Sequence, residues 1–203
     1  MDSSTPTKDT RLKEQIFFED KLLLLAAQKN VLDVGGAGRF SKGLAKYSHW
    51  FKDSNFRSFD TPGVGADIEG DIHHMPIESE SQDAVLCNAV LEHVADPIRA
   101  VEEIHRILKT GGVALVQVPS TYPYHGNKKY GDYWRFFEET LRYMFKDFSS
   151  IEIVKQGGFF RAIILFLPFD KGVFQNVAIF LDKIFKTEEK RHTTRGYYIF
   201  VAK

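Results

Sequence analysis

Three aspartates and a cluster of glycines carry the first chemical signal in this chain. The segment Val31-Leu-Asp-Val-Gly-Gly-Ala-Gly38 reads as a short buried strand, ended by Asp33 within its last turn of sequence and followed by a tight glycine turn. Glycine lets backbone approach a ligand closely, and a turn that opens a helix offers free amides to an anionic group. Asp60 ends a second apolar run, where a carboxylate can accept from both hydroxyls of a ribose. Gly70-Asp71-Ile72 then supplies an acceptor for an adenine amino group and an apolar side chain for a ring face. Each feature has a plainer reading as an ordinary turn. Their order along the chain is what argues for a ligand with an adenosine half.

The glycine spacing separates two kinds of ligand. A dinucleotide pyrophosphate is held by G-x-G-x-x-G, and Gly35, Gly36 and Gly38, followed by Arg39 and Phe40, do not reproduce it. A sulfonium methyl donor carries only an amino-acid carboxylate there and needs fewer amides. Asp33 can order such a turn, or face the donor's amino group or sulfonium. The spacing favours a methyl donor over an NAD-type cofactor.

A second set of residues follows the predicted fourth and fifth strands. It comprises His93, then Tyr122, Tyr124, His125, Asp132, Tyr133, Trp134 and Arg135. Methyl transfer to a hydroxyl or protonated amine calls for a proton acceptor, and histidine changes protonation nearest neutral pH. His125 is therefore the first candidate for a catalytic base, with His93 and Tyr124 beside it. Tyr122, Asp132, Tyr133, Trp134 and Arg135 are candidates for holding the acceptor. His93 either joins the chemistry or orients its loop, and Trp134 either stacks on the acceptor or anchors the core. Arg135 either pairs with Asp132 or grips an anionic acceptor. His73 and His74 read as loop residues, and no Cys/His spacing suggests zinc, so no metal is expected.

Hydrophobic periodicity supplies the elements that must position these groups. It predicts helices over 11–29, 40–47, 97–108, 137–145 and 173–185, and strands over 31–34, 56–59, 84–87, 113–118, 151–155 and 197–202. Residues 67–72 fit a further short strand. Asp96 and Pro97 suit a helix cap and first turn, with Ile98, Val101, Ile104, Ile107 and Leu108 on one face, and Gly111-Gly112 suit its end. The recurring strand–helix order predicts an α/β sheet with helices on both faces. Residues 1–10 read as a frayed tail and 11–203 as one domain.

Composition narrows the class further. Lys plus Arg and Asp plus Glu both number 27, which argues against a strongly basic nucleic-acid surface. A single cysteine excludes an intrachain disulfide framework. With no basic-then-apolar leader and no membrane-length apolar run, the expected compartment is the cytoplasm. The stretches 159–169 and 173–185 are more apolar than closing elements require. They predict an interfacial or dimer-forming hairpin, in contact with a membrane surface or a lipid-linked acceptor.

From Val31 to about Phe145 the sequence closely resembles the class I methyltransferases dependent on S-adenosylmethionine (SAM), type 11 group. The resemblance is carried by Val-Leu-Asp-Val-Gly (31–35), Gly-Asp-Ile-His-His-Met-Pro (70–76), the segment 82–94 ending in Val-Leu-Glu-His-Val, Asp96-Pro97, and 103–112 ending in Leu-Lys-Thr-Gly-Gly. Val-Pro-Ser-Thr-Tyr-Pro-Tyr-His (118–125) and Gly-Asp-Tyr-Trp-Arg-Phe (131–136) resemble a subgroup often found in cell-surface glycan pathways. The resemblance implies a Rossmann-like sheet of seven strands, mostly parallel with the last antiparallel. It implies that Asp33, Gly35, Gly36, Ala37 and Gly38 cradle the methionine end of SAM, and that Asp60 holds the ribose. Asp71 and Ile72 would hold the adenine, and Asn88 and Ala89 would line the floor beside the sulfonium. The implied activity is methylation of a small-molecule or glycan-type acceptor at oxygen or nitrogen. Ala37 and Arg39 depart from the usual glycine and small residue, so either the turn is shortened or the pocket tolerates a methyl group. The alternative is a non-catalytic SAM-binding or interaction module on the same fold.

Overall fold

In a computed structural model, residues 11–36, 38–41, 43–168 and 171–203 are described. The tail 1–10, Ala37 of the predicted cradle and Phe169 at the end of the apolar stretch lie outside them. Seven extended segments build one sheet: β1 (Asn30–Val34), β2 (Asn55–Asp60), β3 (Ile68–Glu69), β4 (Gln82–Asn88), β5 (Leu108–Pro119), β6 (Ser150–Lys155) and β7 (Gly196–Ala202). Their spatial order is β3-β2-β1-β4-β5-β7-β6. β7 runs antiparallel to both its neighbours, β5 and β6; the pairings among β1 to β5 are parallel. The chain order reverses between β1 and β4, the place where open α/β sheets leave a crevice at the strands' carboxyl ends.

Both faces of the sheet are covered, which is why the central strands read as apolar runs without alternation. On one face, Leu22 and Leu25 of α1 (Lys13–Ala26) pack with Val31, Phe56, Leu86 and Leu115. On the other, Val101, Ile104 and Ile107 of α2 (Pro97–Ile107) pack with Leu32, Val85, Val116 and Tyr197. Each fully buried Leu or Ile stabilises the fold by roughly 1.5–3 kcal/mol. α2 begins as the residues dictate: the Asp96 carboxylate accepts from the Arg99 amide at 3.0 Å, and Pro97 occupies the first turn. Ile98 departs from the predicted apolar face and is 42% exposed. One helical position after the proline points it away from the 97, 100, 101, 104 stripe.

Three other expectations are corrected. Among the described residues of 40–47 no α-helix forms; turns lead into a 3-10 helix at Ala45–Phe51. Phe40 and Gly43 both take positive φ, which interrupts a right-handed helix there. Gly111-Gly112 lie within β5 rather than at a helix end, because β5 already starts at Leu108 and bulges before Val113. The last third holds more helix than predicted: α3 (Glu138–Met144) is followed, between β6 and β7, by α4 (Phe159–Ile163), α5 (Lys171–Phe185) and α6 (Thr187–Lys190). Arg161 of α4 is buried at the centre of this group, ion-paired with Glu14, Asp182 and Glu188.

Candidate active site

The predicted cofactor residues gather along the carboxyl edge of β1, β2 and β4. Asp33 is buried near the end of β1, directly under the glycine turn: a Cβ added to Gly36 would lie 2.6 Å from Asp33 Oδ2. Of the two roles open to Asp33, this placement supports ordering the turn. Gly35 takes φ +72 and donates its amide to the Phe59 carbonyl at 2.7 Å, extending the β1–β2 ladder by one bond. Its missing side chain matters twice, since a Cβ there would meet Val90 Cγ2 at 2.3 Å. The glycine turn therefore packs directly on the segment that follows β4. Gly38 takes φ +110 with open space where a side chain would stand.

Asp60 ends β2 and accepts from the Thr61 amide at 2.7 Å. Gly70 donates to the Asp60 carbonyl, which brings the Gly70-Asp71-Ile72 segment alongside it. Asp71 caps a short 3-10 turn, accepting from the His73 amide at 2.9 Å and from His73 Nδ1 at 2.6 Å. The His73 amide bond, helped by the imidazole, holds the Asp71 carboxyl below its ordinary range. Ile72 is buried beneath it. His73 and His74 thus belong to a short 3-10 turn rather than a loop. Ala89, just past β4, adopts φ +53, a strained backbone of the kind often found at functional sites. Arg39 pairs with Asp67 at 2.9 Å, and this pair together with two hydrogen bonds from Ser58 pulls the Asp67 carboxyl down to about 2. The residue that departs from the family pattern is thereby tied to the β2–β3 connection.

The glycine cradle and the carboxylates at the ends of β1 and β2 fit SAM. The cofactor presents an amino group, two ribose hydroxyls and a sulfonium, all of which favour oxygen acceptors, and the turn leaves room where side chains would intrude.

The second set of residues meets around Glu92, a buried side chain that the sequence motif contains but sequence reasoning left without a role. Pro119 accepts from the Phe136 amide at 3.0 Å, which folds the loop 120–135 back over the strand ends. The Tyr133 amide donates to the Glu92 carbonyl at 2.8 Å, and Trp134 Nε1 donates to the Val94 carbonyl at 3.0 Å. These bonds bring His93 and His125 together, with ring centroids 4.8 Å apart at a 74° tilt. His93 Nδ1 donates to the Gly131 carbonyl at 2.6 Å, and His125 Nδ1 to the Pro123 carbonyl at 3.2 Å. The Glu92 carboxylate, only 1% exposed, sets Oε1 at 3.8 Å from His93 Nε2 and 3.6 Å from His125 Nε2.

Arg135 pairs with Asp132, as one of its two sequence readings had it. Its guanidinium engages both carboxylate oxygens and also donates to the carbonyls of Tyr122, Pro123 and Trp134. That contact drives the Asp132 carboxyl well below the usual carboxylate range, assisted by the His125 amide. Both residues brace the loop. Tyr122 lies 5.1 Å from the His125 ring and Tyr130 4.5 Å from the His93 ring, centroid to centroid. Tyr130 was not among the sequence candidates; a lone tyrosine between lysine and glycine carries no local signal. Tyr124 is 73% exposed, with its hydroxyl over Gly126 rather than with the imidazoles. Tyr133 and Trp134 are exposed at the rim, and Phe136 is the buried anchor.

Comparison with known proteins adds an independent line. Residues 32–116 match the Methyltransferase domain family. An uncharacterized protein of Methanocaldococcus jannaschii is 31% identical over 180 residues, covering 85% of this chain and 71% of that protein. A 2-methyl-6-phytyl-1,4-hydroquinone methyltransferase of Oryza sativa subsp. japonica is 30% identical over 77 residues, 38% of this chain and 23% of that enzyme. The match thus spans less than a quarter of the length of that curated relative. Among solved structures, a SAM-dependent methyltransferase from Archaeoglobus fulgidus shares the fold with a TM-score of 0.58 at 14% identity, covering 93% of this chain and 92% of that one.

Proposed function

The chain belongs to the class I SAM-dependent methyltransferases with a type 11 domain, and from that premise we propose that it methylates an oxygen or nitrogen of a small-molecule or glycan-type acceptor. SAM is the family's cofactor and, when bound, supplies a methyl carbon made electrophilic by the sulfonium. The glycine turn and Asp33 would hold its amino-acid end, Asp60 its ribose, Asp71 and Ile72 its adenine, with Asn88 and Ala89 as the floor. The observation that carries the reading is the contact of Gly35 with Val90. It sets the glycine turn against the loop bearing Glu92 and His93, which supports a cofactor and an acceptor meeting at one edge of the sheet.

This chain's own work is to align the acceptor with the methyl group and to keep water out. The aromatic rim of Tyr122, Tyr130, Tyr133 and Trp134 supports an acceptor with a flat or ring-shaped face. His125, supported by His93, would engage the acceptor's exchangeable proton. We place the protein in the cytoplasm; its single cysteine, Cys87, is buried. Among the described residues no helix is long and apolar enough to cross a membrane. Exposed Phe166, Leu167, Phe174, Phe180, Ile184 and Phe185 support contact of 159–185 with a membrane surface.

Thermal-shift measurement with SAM, S-adenosylhomocysteine, NAD and NADP tests the cofactor reading, because a ligand stabilises the state it binds. Stabilisation by the first two is the expected result. A shift with NAD and none with SAM or its product would overturn it. Co-sedimentation with anionic vesicles at low salt tests the surface contact, and a chain left wholly in the supernatant would remove it.

A further inference from the structure

We propose that Glu92, His93 and His125 form a binding site for one divalent transition-metal ion. One ligand atom from each of the three side chains lies within 4.8 Å of the others. The two carboxylate–imidazole separations, 3.6 and 3.8 Å, are too long for hydrogen bonds. They are close to the spacing of neighbouring ligands around one ion, which bonds of about 2.0–2.2 Å set near 3–3.5 Å. The larger gap, between the imidazoles, closes by a small movement of His125, whose side chain is 31% exposed and sits on a loop.

The arrangement behind the ligands points the same way. Carbonyl oxygens only accept, so the bonds to Gly131 and Pro123 place the proton of each imidazole on Nδ1. Both Nε2 atoms then converge with a buried carboxylate oxygen, a donor set of the kind a transition-metal ion takes. Metal-binding histidines are oriented in this way, with the second ring nitrogen fixed by a carbonyl or carboxylate. His125 has both, since Asp132 Oδ2 lies 3.3 Å from its Nδ1 and accepts from its backbone amide at 2.8 Å. Arg135 in turn fixes Asp132. Two imidazoles and one carboxylate suit zinc, manganese, iron or cobalt rather than magnesium or calcium, which prefer all-oxygen shells.

Three protein ligands leave further positions toward the rim of Tyr122 and Tyr130. Resting on the methyl-transfer reading, those positions would take an acceptor oxygen, narrowing the acceptor to compounds with a metal-binding hydroxyl or carboxylate. This sharpens the role of His125: its Nε2 holds the ion and acts on the acceptor through it.

The test uses the full chain, stripped with EDTA, desalted and titrated with Co2+ while the visible ligand-field absorption is followed. One equivalent bound is expected, with competition by Zn2+ and none by Mg2+. His125→Ala should weaken Co2+ binding by more than about 100-fold, and Asp132→Asn by about 10–100-fold. The SAM-induced thermal shift of His125→Ala reports folding and the cofactor site separately. Retained SAM binding with lost Co2+ binding supports the metal site. Co2+ affinity equal in wild type and His125→Ala, or no stoichiometric Co2+ in the wild type, overturns it. Co2+ binding with no response to SAM would instead remove the methyl-transfer reading and leave the metal site standing.

Discussion

Two of the clusters of buried charge among the described residues are built on opposite plans. Around Arg161, every charged group meets its partner directly: Glu14, Asp182 and Glu188 ring one guanidinium, and Asp182 also accepts from the amides of Gly158 and Phe160. Burial alone would raise the Asp182 carboxyl, but hydrogen bonds from Thr187, the Phe160 amide and Arg161 bring it below its ordinary range. Around Glu92, the carboxylate stands 3.6 and 3.8 Å from two imidazole nitrogens, and both rings are held from behind. The first plan closes on itself and ties α1, α4, α5 and α6 together. The second has the spacing of ligands around one ion, and the metal proposal turns on this difference.

The largest expected effect breaks the staple. Arg161→Ala leaves Glu14 and Asp182 buried without their cation and should destabilise the chain by about 3–5 kcal/mol, read from urea denaturation. His125→Ala should do the reverse, with stability within about 1 kcal/mol of wild type and methyl transfer reduced by about 10²–10⁴-fold. Equal losses of stability in the two variants would dissolve the distinction. Gly35→Ala tests the contact between the two halves of the crevice. The clash with Val90 and the positive φ should together cost about 2–4 kcal/mol, and adding Val90→Ala should restore the packing part only. A double-mutant cycle with no coupling would show that the turn and the β4 loop are independent.

The smallest effect is electrostatic and lies at the exposed rim. Asp67, held by Arg39, has a folded pKa of about 2 against an ordinary 3.8. A depressed carboxyl contributes stability above its unfolded pKa, and that contribution fades as pH falls from about 4 toward about 2. Asp67→Asn should therefore lower stability at neutral pH, and the difference should vanish near pH 2. Solvent screening of the exposed arginine keeps this effect the smallest of the set.

Much of the cofactor edge was legible before folding. The glycine turn, Asp33, Asp60 and the Asp96-Pro97 cap are local features, each fixed by neighbours a few residues away, and the structure places them at strand ends and a helix start. The exception is the segment 40–47, where apolar spacing suggested a helix and positive φ at Phe40 and Gly43 prevented one. The last third was legible only as apolar, because the partners of Arg161 lie as far away in sequence as Glu14.

Sequence by itself determined the sheet's order of elements and the kind of cofactor, because strand-end carboxylates and turn glycines act through short-range geometry. Only the tertiary structure decided which residues gather on the proposed acceptor side. Glu92 and His93 follow β4, His125 follows β5, and they meet because those strands pair in parallel and the Tyr133 amide bonds back to Glu92. No local spacing encodes that convergence. A buried glutamate between two imidazoles is a product of register and loop hydrogen bonds, and it exists only once the sheet has closed around it.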